Sequence, residues 1–313
     1  MSTAEIVDEK FKQIGAELSN WGRWGADDQV GTLNFITPAV RAAAAKMIKT
    51  GETVDLGMPL DANGPHSGRE WRFNPIHRMT QILTDVEYPG GAMAADDVIS
   101  MPLQAGTQWD ALAHVGYDGE IYNGYPATSM TAVDGATKNS FDRVVDRIVG
   151  RGVLLDIARL RGVDVMEGGD EITPDDLDRA ARTQGVEVRT GDILLVRTGW
   201  YQHFLNGDHG TFLGPDEAGM GFSTCAWLDE HQVAAIAADN FAVEVRPSGI
   251  KGVLAPVHMV LIRDLGMTLG EMFNLEILSE TCARLGRWEF FLSGIGMKVS
   301  GSVGSPVNPI AIF

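Results

Sequence analysis

"RGVLLDIARL" (residues 151–160) and "GDILLVRTGW" (191–200) are short apolar runs bounded by glycine, and "ITPDDLDRAARTQG" (172–185) lies between them. Runs apolar at consecutive positions read as strands buried on both faces. The middle piece reads as a helix, with Thr173 as cap and Pro174 at the first helical position. Strand, helix, strand is the pattern of an α/β protein.

The same alternation extends outward. Thr37 and Pro38 open a helix, "AVRAAAAKMIKTG", that closes on glycine, and Thr53–Leu60 alternates as a strand. In "STCAWLDEHQVAAIAADNFAVEV", Trp227, Leu228, Ala234 and Ala235 fall on helical spacing before a strand begins near Ile236. "GVLAPVHMVLIRDLG" (252–266) reads as one more strand, and the glycine-rich end "RWEFFLSGIGMKVSGSVGSPVNPIAIF" as terminal antiparallel strands. Ahead of these come a helix from Ala4 to Leu18 and a Trp/Gly/Asp-rich loop; the long passage from Asp61 to Pro75 is expected to be functional or an oligomer contact. The expectation is an α/β fold with a mixed, partly antiparallel sheet flanked by helices.

The 313 residues permit one large domain or two, but no repeat, low-complexity tract or linker divides them. A single domain over 1–313 follows, with 1–36 as an N-terminal helix and Trp/Gly-rich arm. At 44% hydrophobic and 21% charged the chain is globular in composition. A net charge of −17, with no basic run beyond pairs such as Arg159 and Arg161, makes nucleic acid a poor partner. Cys225 and Cys282 stand alone, so neither a disulfide framework nor a thiolate zinc site is indicated, and a cytoplasmic setting is expected. No signal-peptide core or membrane-length apolar run is evident.

The chemistry concentrates in "QAGTQWDALAH" (104–114). Gln108 and Asp110 are two apart, so both face one side of an extended segment, and Gly106 with Thr107 permits a bend that turns Gln104 to that side. Asp110 lies between Trp109 and Ala111, where an unpaired carboxylate would be costly; metal ligation or an arginine partner would compensate. Taken alone, the glutamines would as readily bond loop backbone, and His114 between Ala113 and Val115 could be a packed core histidine.

This segment resembles the H-x-G-T-H-x-D-x-P-x-H signature of the putative cyclase family, which includes bacterial kynurenine formamidase, isatin hydrolase and related lactone or amide hydrolases. Gly106, Thr107, Asp110 and His114 match; Gln104 and Gln108 stand where the signature has histidine, and Leu112 where it has proline. "NWGRWGADDQVGTLNFITP", "DNFAVEVRP", "PVHMVLIRDLGMTLGEMFNLEIL" and "GSPVNPIAI" resemble blocks of the longer family members, in order. The resemblance implies the family's swivelling β/β/α fold. It also implies a site for one divalent metal ion at Gln104, Gln108, Asp110, His258 and Glu271, with His114 as proton shuttle. His258 on its apolar run and Glu271, near an expected helix start, are drawn in by the resemblance alone.

A bound divalent ion acidifies water and polarises a carbonyl, and an imidazole can relay a proton. Opening of a small lactone, cyclic imide or amide is the expected reaction. Amide oxygens in place of imidazoles favour Mn2+, with Zn2+ as the other possibility. Trp21, Trp24, Trp109 and His77 are expected to contact the substrate. Alternatives stay open: a non-hydrolytic cyclase, isomerase or lyase with an altered or metal-free site, or a small-molecule binding module without turnover. The family also implies a homodimer or homotetramer.

Overall fold

The computed structural model describes residues 9–66 and 71–313. Its centre is a nine-stranded mixed sheet of β1 (Thr53–Asp55), β2 (Gln108–Asp110), β3 (Val149–Asp156), β4 (Ile193–Arg197), β5 (Ala235–Ala238), β6 (Thr268–Glu271), β7 (Glu289–Ser293), β8 (Gly304–Pro306) and β9 (Ile310–Ile312). Their spatial order is β1-β9-β7-β3-β4-β5-β6-β2-β8. The middle four, β3 to β6, are mutually parallel, and the strands on either side are antiparallel.

The quoted runs account for β3, β4 and β5 of that centre, whereas β6 lies beyond the run 252–266 that reads as a strand. β4, β5 and β6 are buried at every residue. Alternate side chains feed two apolar clusters: Leu155, Leu194, Val196 and Ile236 enter one, and Leu154, Ile193, Leu195 and Ala237 the other. Each fully buried Leu, Ile or Val contributes about 1.5–3 kcal/mol. The crossover helix spans Pro174–Gln184, with a complete capping box between Thr173 and Asp176 and a left-handed cap at Gly185 (φ 66°). Glycine takes that backbone angle without the Cβ clash other residues suffer.

Several expectations need correction. The run 252–266 is helical: Pro256 opens a short α-turn through His258, which continues as a π-helix over Met259–Leu265 and stops at Gly266 (φ 72°). A buried strand and a buried helix share an unbroken apolar pattern, so Pro256 and Gly266 were the better guides. Glu271 ends strand β6 rather than preceding a helix; the next helix is Glu276–Leu285. The helix bearing Trp227 and Leu228 ends at Glu230, and Ala235 is already in β5. The helix opened by Pro38 stops at Ala45, short of Gly51, and β1 covers only the first three residues of the expected strand. The first helix spans Lys10–Glu17; its expected start at residues 4–8, like part of the loop 61–75, lies outside the described residues. Among the described residues no helix is long and apolar enough to cross a membrane.

Candidate active site

The carboxyl ends of the parallel strands are where open α/β sheets bind ligands. Here Glu271 closes β6, and antiparallel pairing sets Gln108 of β2 directly beside it. Alternation then aims Gln108 and Asp110 to one side and Trp109 to the other. The helix beginning at Pro256 brings His258 over the same point.

The side chains converge. His258 Nε2 lies 3.1 Å from Glu271 Oε1 and 3.7 Å from Asp110 Oδ2. One ligand atom from each of Asp110, His258 and Glu271 falls within 4.8 Å of the others, all three residues being buried. Gln108 Nε2 donates to Glu271 Oε2 at 2.6 Å and to Asp110 Oδ1 at 3.4 Å, bracing two carboxylates that would otherwise repel. His114 Nε2 stands 3.7 Å from Asp110 Oδ1, and its ring is the partly exposed member of the group. Gln104 also points here: a Cβ built on Gly304 would lie 2.8 Å from its Nε2 and 3.6 Å from Asp110 Oδ1.

Burial pushes the Asp110 carboxyl up to about 6, with His114 pulling it down and Glu271 pushing it up. For His258 burial disfavours the charged ring, yet its hydrogen bonds to Glu244 and Glu271 prevail and hold its pKa well above the usual value. Asp110 Oδ2 and Gln108 Oε1 are buried with no hydrogen-bond partner. Unpaired buried oxygens are costly, and a cation among them is the natural remedy. One imidazole and two carboxylates make a donor set suited to a divalent ion, so Asp110, His258 and Glu271 fit a metal.

Sequence reasoning missed Glu244. Its Oε1 accepts from His258 Nδ1 at 2.6 Å and from the His258 backbone N–H at 3.0 Å, while Oε2 accepts from the Val257 N–H at 3.1 Å. Ring and backbone are fixed by one carboxylate, which leaves Nε2 turned toward Asp110 and Glu271. A carboxylate in the apolar run "AVEV" was the available signal.

Among the expected substrate contacts, Trp109 needs correction. Trp109 is fully buried; it packs edge-on against Phe273 and donates from Nε1 to Gly294 O at 2.9 Å, so it belongs to the core behind the site. Trp21 donates to Arg263 O and lies under the Arg263 guanidinium, and Trp24 packs on Phe35. Phe35 O abuts Gly191, just before β4 begins, at the opposite end of the sheet from Glu271, so within one chain Trp24 is remote from the cluster. His77 sits on an exposed hairpin, paired with Asp97 at 2.7 Å.

A mixed sheet with a buried Asp, His and Glu gathered at a strand end and an imidazole at its mouth defines the class: an α/β protein with a candidate metal-ion site. A family model described as putative cyclase matches residues 54–245. The chain belongs to the putative cyclase family. It is 41% identical to a solved structure described as a novel cyclase, with 94% of this chain and 99% of that one covered at a TM-score of 0.87. An isatin hydrolase bound to the product analogue thioisatinate shares the fold at 18% identity, TM-score 0.63, with 88% and 97% covered. A predicted metal-dependent hydrolase from Bacillus stearothermophilus shares it at 14% identity, TM-score 0.52, with 83% and 97% covered. Among curated proteins no match is found.

Proposed function

We propose that this chain is a metal-dependent hydrolase that opens a small lactone, cyclic imide or cyclic amide. The observation that carries the reading is the buried cluster of Asp110, His258 and Glu271, whose ligand atoms lie within 4.8 Å of one another, with His114 beside it. Hydrolase relatives of the same fold support it.

Asp110, His258 and Glu271 would hold one divalent ion, which when bound supplies acidification of water and polarisation of the scissile carbonyl. Two carboxylates against a single imidazole favour a hard ion, so Mn2+ is proposed ahead of Zn2+. Glu244 keeps His258 oriented, and Gln108 keeps the two carboxylates from swinging apart. Gln104, with a buried amide nitrogen that has no partner, is placed to donate to a substrate oxygen. His114, reached by solvent and 3.7 Å from Asp110, takes a proton at Nε2 from the attacking water and returns it to the leaving oxygen or nitrogen. The substrate is a small neutral ring and the product its open-chain acid.

The test couples metal content by plasma mass spectrometry to turnover of a lactone and cyclic-imide panel in 18O-labelled water. One labelled oxygen should enter the product, and activity should vanish with chelator and return with Mn2+. Full activity in metal-free protein, or a product without label, refutes the reading.

A further inference from the structure

Arg72 is a half-buried guanidinium, and among the described residues no hydrogen bond or ion pair reaches it. Other arginines that the fold covers are not left so. Arg151, Arg161, Arg197, Arg246 and Arg263 each meet a carboxylate, and Arg41 and Arg287 donate to backbone carbonyls. Covering a charge without a partner is costly. A partner that arrives with the ligand removes the cost.

The fold sets Arg72 beside the cluster. Its Cζ lies 5.5 Å from the centre of the Phe241 ring, within the reach of a cation–π contact. Phe241 stands just past the end of β5, and its neighbour Asn240 accepts at its carbonyl from the N–H of Met272, the residue after Glu271. The buried His66 ring meets Phe241 edge-on at 6.3 Å. Asn74 ties this end of the loop down: its Oδ1 accepts from the His66 N–H at 2.8 Å, and its Nδ2 donates to Ala62 O at 3.1 Å. Arg72, two residues before it, is thereby held over the strand ends. The Asp110 carboxyl, pushed up by burial, is pulled down by Arg72 as well as by the two histidines, so the guanidinium's field reaches the site. Arg246 lies 5.1 Å from the same ring but is already bound, its Nε donating to Glu217 Oε2 at 2.6 Å. Of the two arginines on Phe241, Arg72 has its donors to spare.

We propose that Arg72 receives the carboxylate that ring opening creates, so that this chain holds its open-chain acid, and the oxyanion on the way to it, more tightly than the uncharged ring. The inference rests on the proposed ring opening. Attack by water forms one C–O bond and breaks the ring's C–O or C–N bond. One water proton goes to the leaving atom, the other departs as the new acid ionises, and one negative charge stays on the substrate. A planar guanidinium pairs with a carboxylate through two parallel N–H donors. Because the charge is absent from the ring and grows during attack, Arg72 acts on the transition state and the product rather than on ground-state binding.

Benzoate and benzamide serve as probes, the same ring with and without the charge, titrated calorimetrically into the full chain both loaded with Mn2+ and stripped by chelator. Wild type should prefer benzoate in both forms. Arg72→Gln should weaken benzoate by roughly 10–100-fold, the worth of a hydrogen-bonded charge, while benzamide stays within about twofold. Arg72→Lys should recover part of the loss, and Arg78→Gln, on the exposed hairpin, should change neither. In turnover of the ring panel Arg72→Gln should lower kcat with KM within about twofold, and inhibition by the product acid should weaken. Wild-type protein that does not distinguish benzoate from benzamide overturns the proposal. So does an Arg72→Gln variant that binds benzoate within about twofold of wild type, or one that loses both probes equally, which would show only packing. The stripped arm separates the two readings: a benzoate loss there stands even if the protein proves active without metal.

Discussion

Replacing Glu244 by glutamine isolates the contribution of one carboxylate to the cluster. The two oxygens of Glu244 accept three hydrogen bonds, from His258 Nδ1, the His258 N–H and the Val257 N–H. A glutamine offers one acceptor oxygen and one donor group, so either amide orientation sets a donor against a donor. In one orientation the clash is with the Val257 N–H; in the other it is with the His258 N–H and the ring nitrogen. A buried donor left without a partner costs about 1–3 kcal/mol, and that is the expected loss of stability in urea titration. The second effect is on the ion. A carboxylate behind a ligating imidazole fixes its tautomer and raises its basicity, and loss of such a partner weakens metal binding about 10–100-fold. That range corresponds to roughly 1.4–2.7 kcal/mol of binding free energy. Isothermal titration of metal-free protein with Mn2+ measures the weakening, and urea titration without metal measures the stability cost separately. A Glu244→Gln variant whose Mn2+ dissociation constant stays within about twofold of wild type would refute the assignment of His258 Nε2 as a ligand oriented by Glu244.

Three further outcomes are expected. His114→Gln should lower kcat by about 10²–10⁴-fold while leaving Mn2+ affinity within a few-fold, because in the proposed reaction the ring moves a proton rather than holding the ion; equal loss of metal binding would contradict that role. Gly270→Ala should destabilise by about 1–3 kcal/mol in urea, since a Cβ there would stand 2.7 Å from the Ala237 Cβ and from the Trp109 ring; an unchanged midpoint would show that β5 and β6 pack more loosely. Cys225 and Cys282 are buried, with burial raising both thiols, so neither should react with thiol reagents at pH 8 until the chain unfolds.

Much of the sheet and part of the site were legible from residues 104–114 and the two glycine-bounded runs. The alternation of Gln108, Trp109 and Asp110 correctly placed the polar pair on one face, yet Trp109 was expected among substrate contacts. Its position between two site-facing residues settles the matter, because a strand residue flanked by inward neighbours must point behind them. His258 was drawn in by resemblance and assigned to a strand. The near-unbroken apolar run "VHMVLI" lacks the periodicity that would separate strand from helix, so only Pro256 and Gly266 carried the distinction. Glu244 escaped because a hydrogen bond to a residue 14 positions away has no sequence spacing to announce it.

By itself the sequence determined three of the four central strands, β3, β4 and β5, the Thr-Pro helix starts and the polar content of the 104–114 segment, because these follow from local backbone preference and side-chain alternation. The tertiary structure decided which of those polar residues meet. Asp110, His258 and Glu271 are joined by antiparallel pairing of β2 with β6 and by a helix that returns over the strand ends. It also decided that residues 76–100 stand clear of the body, since exposure is a property of what the rest of the chain leaves uncovered.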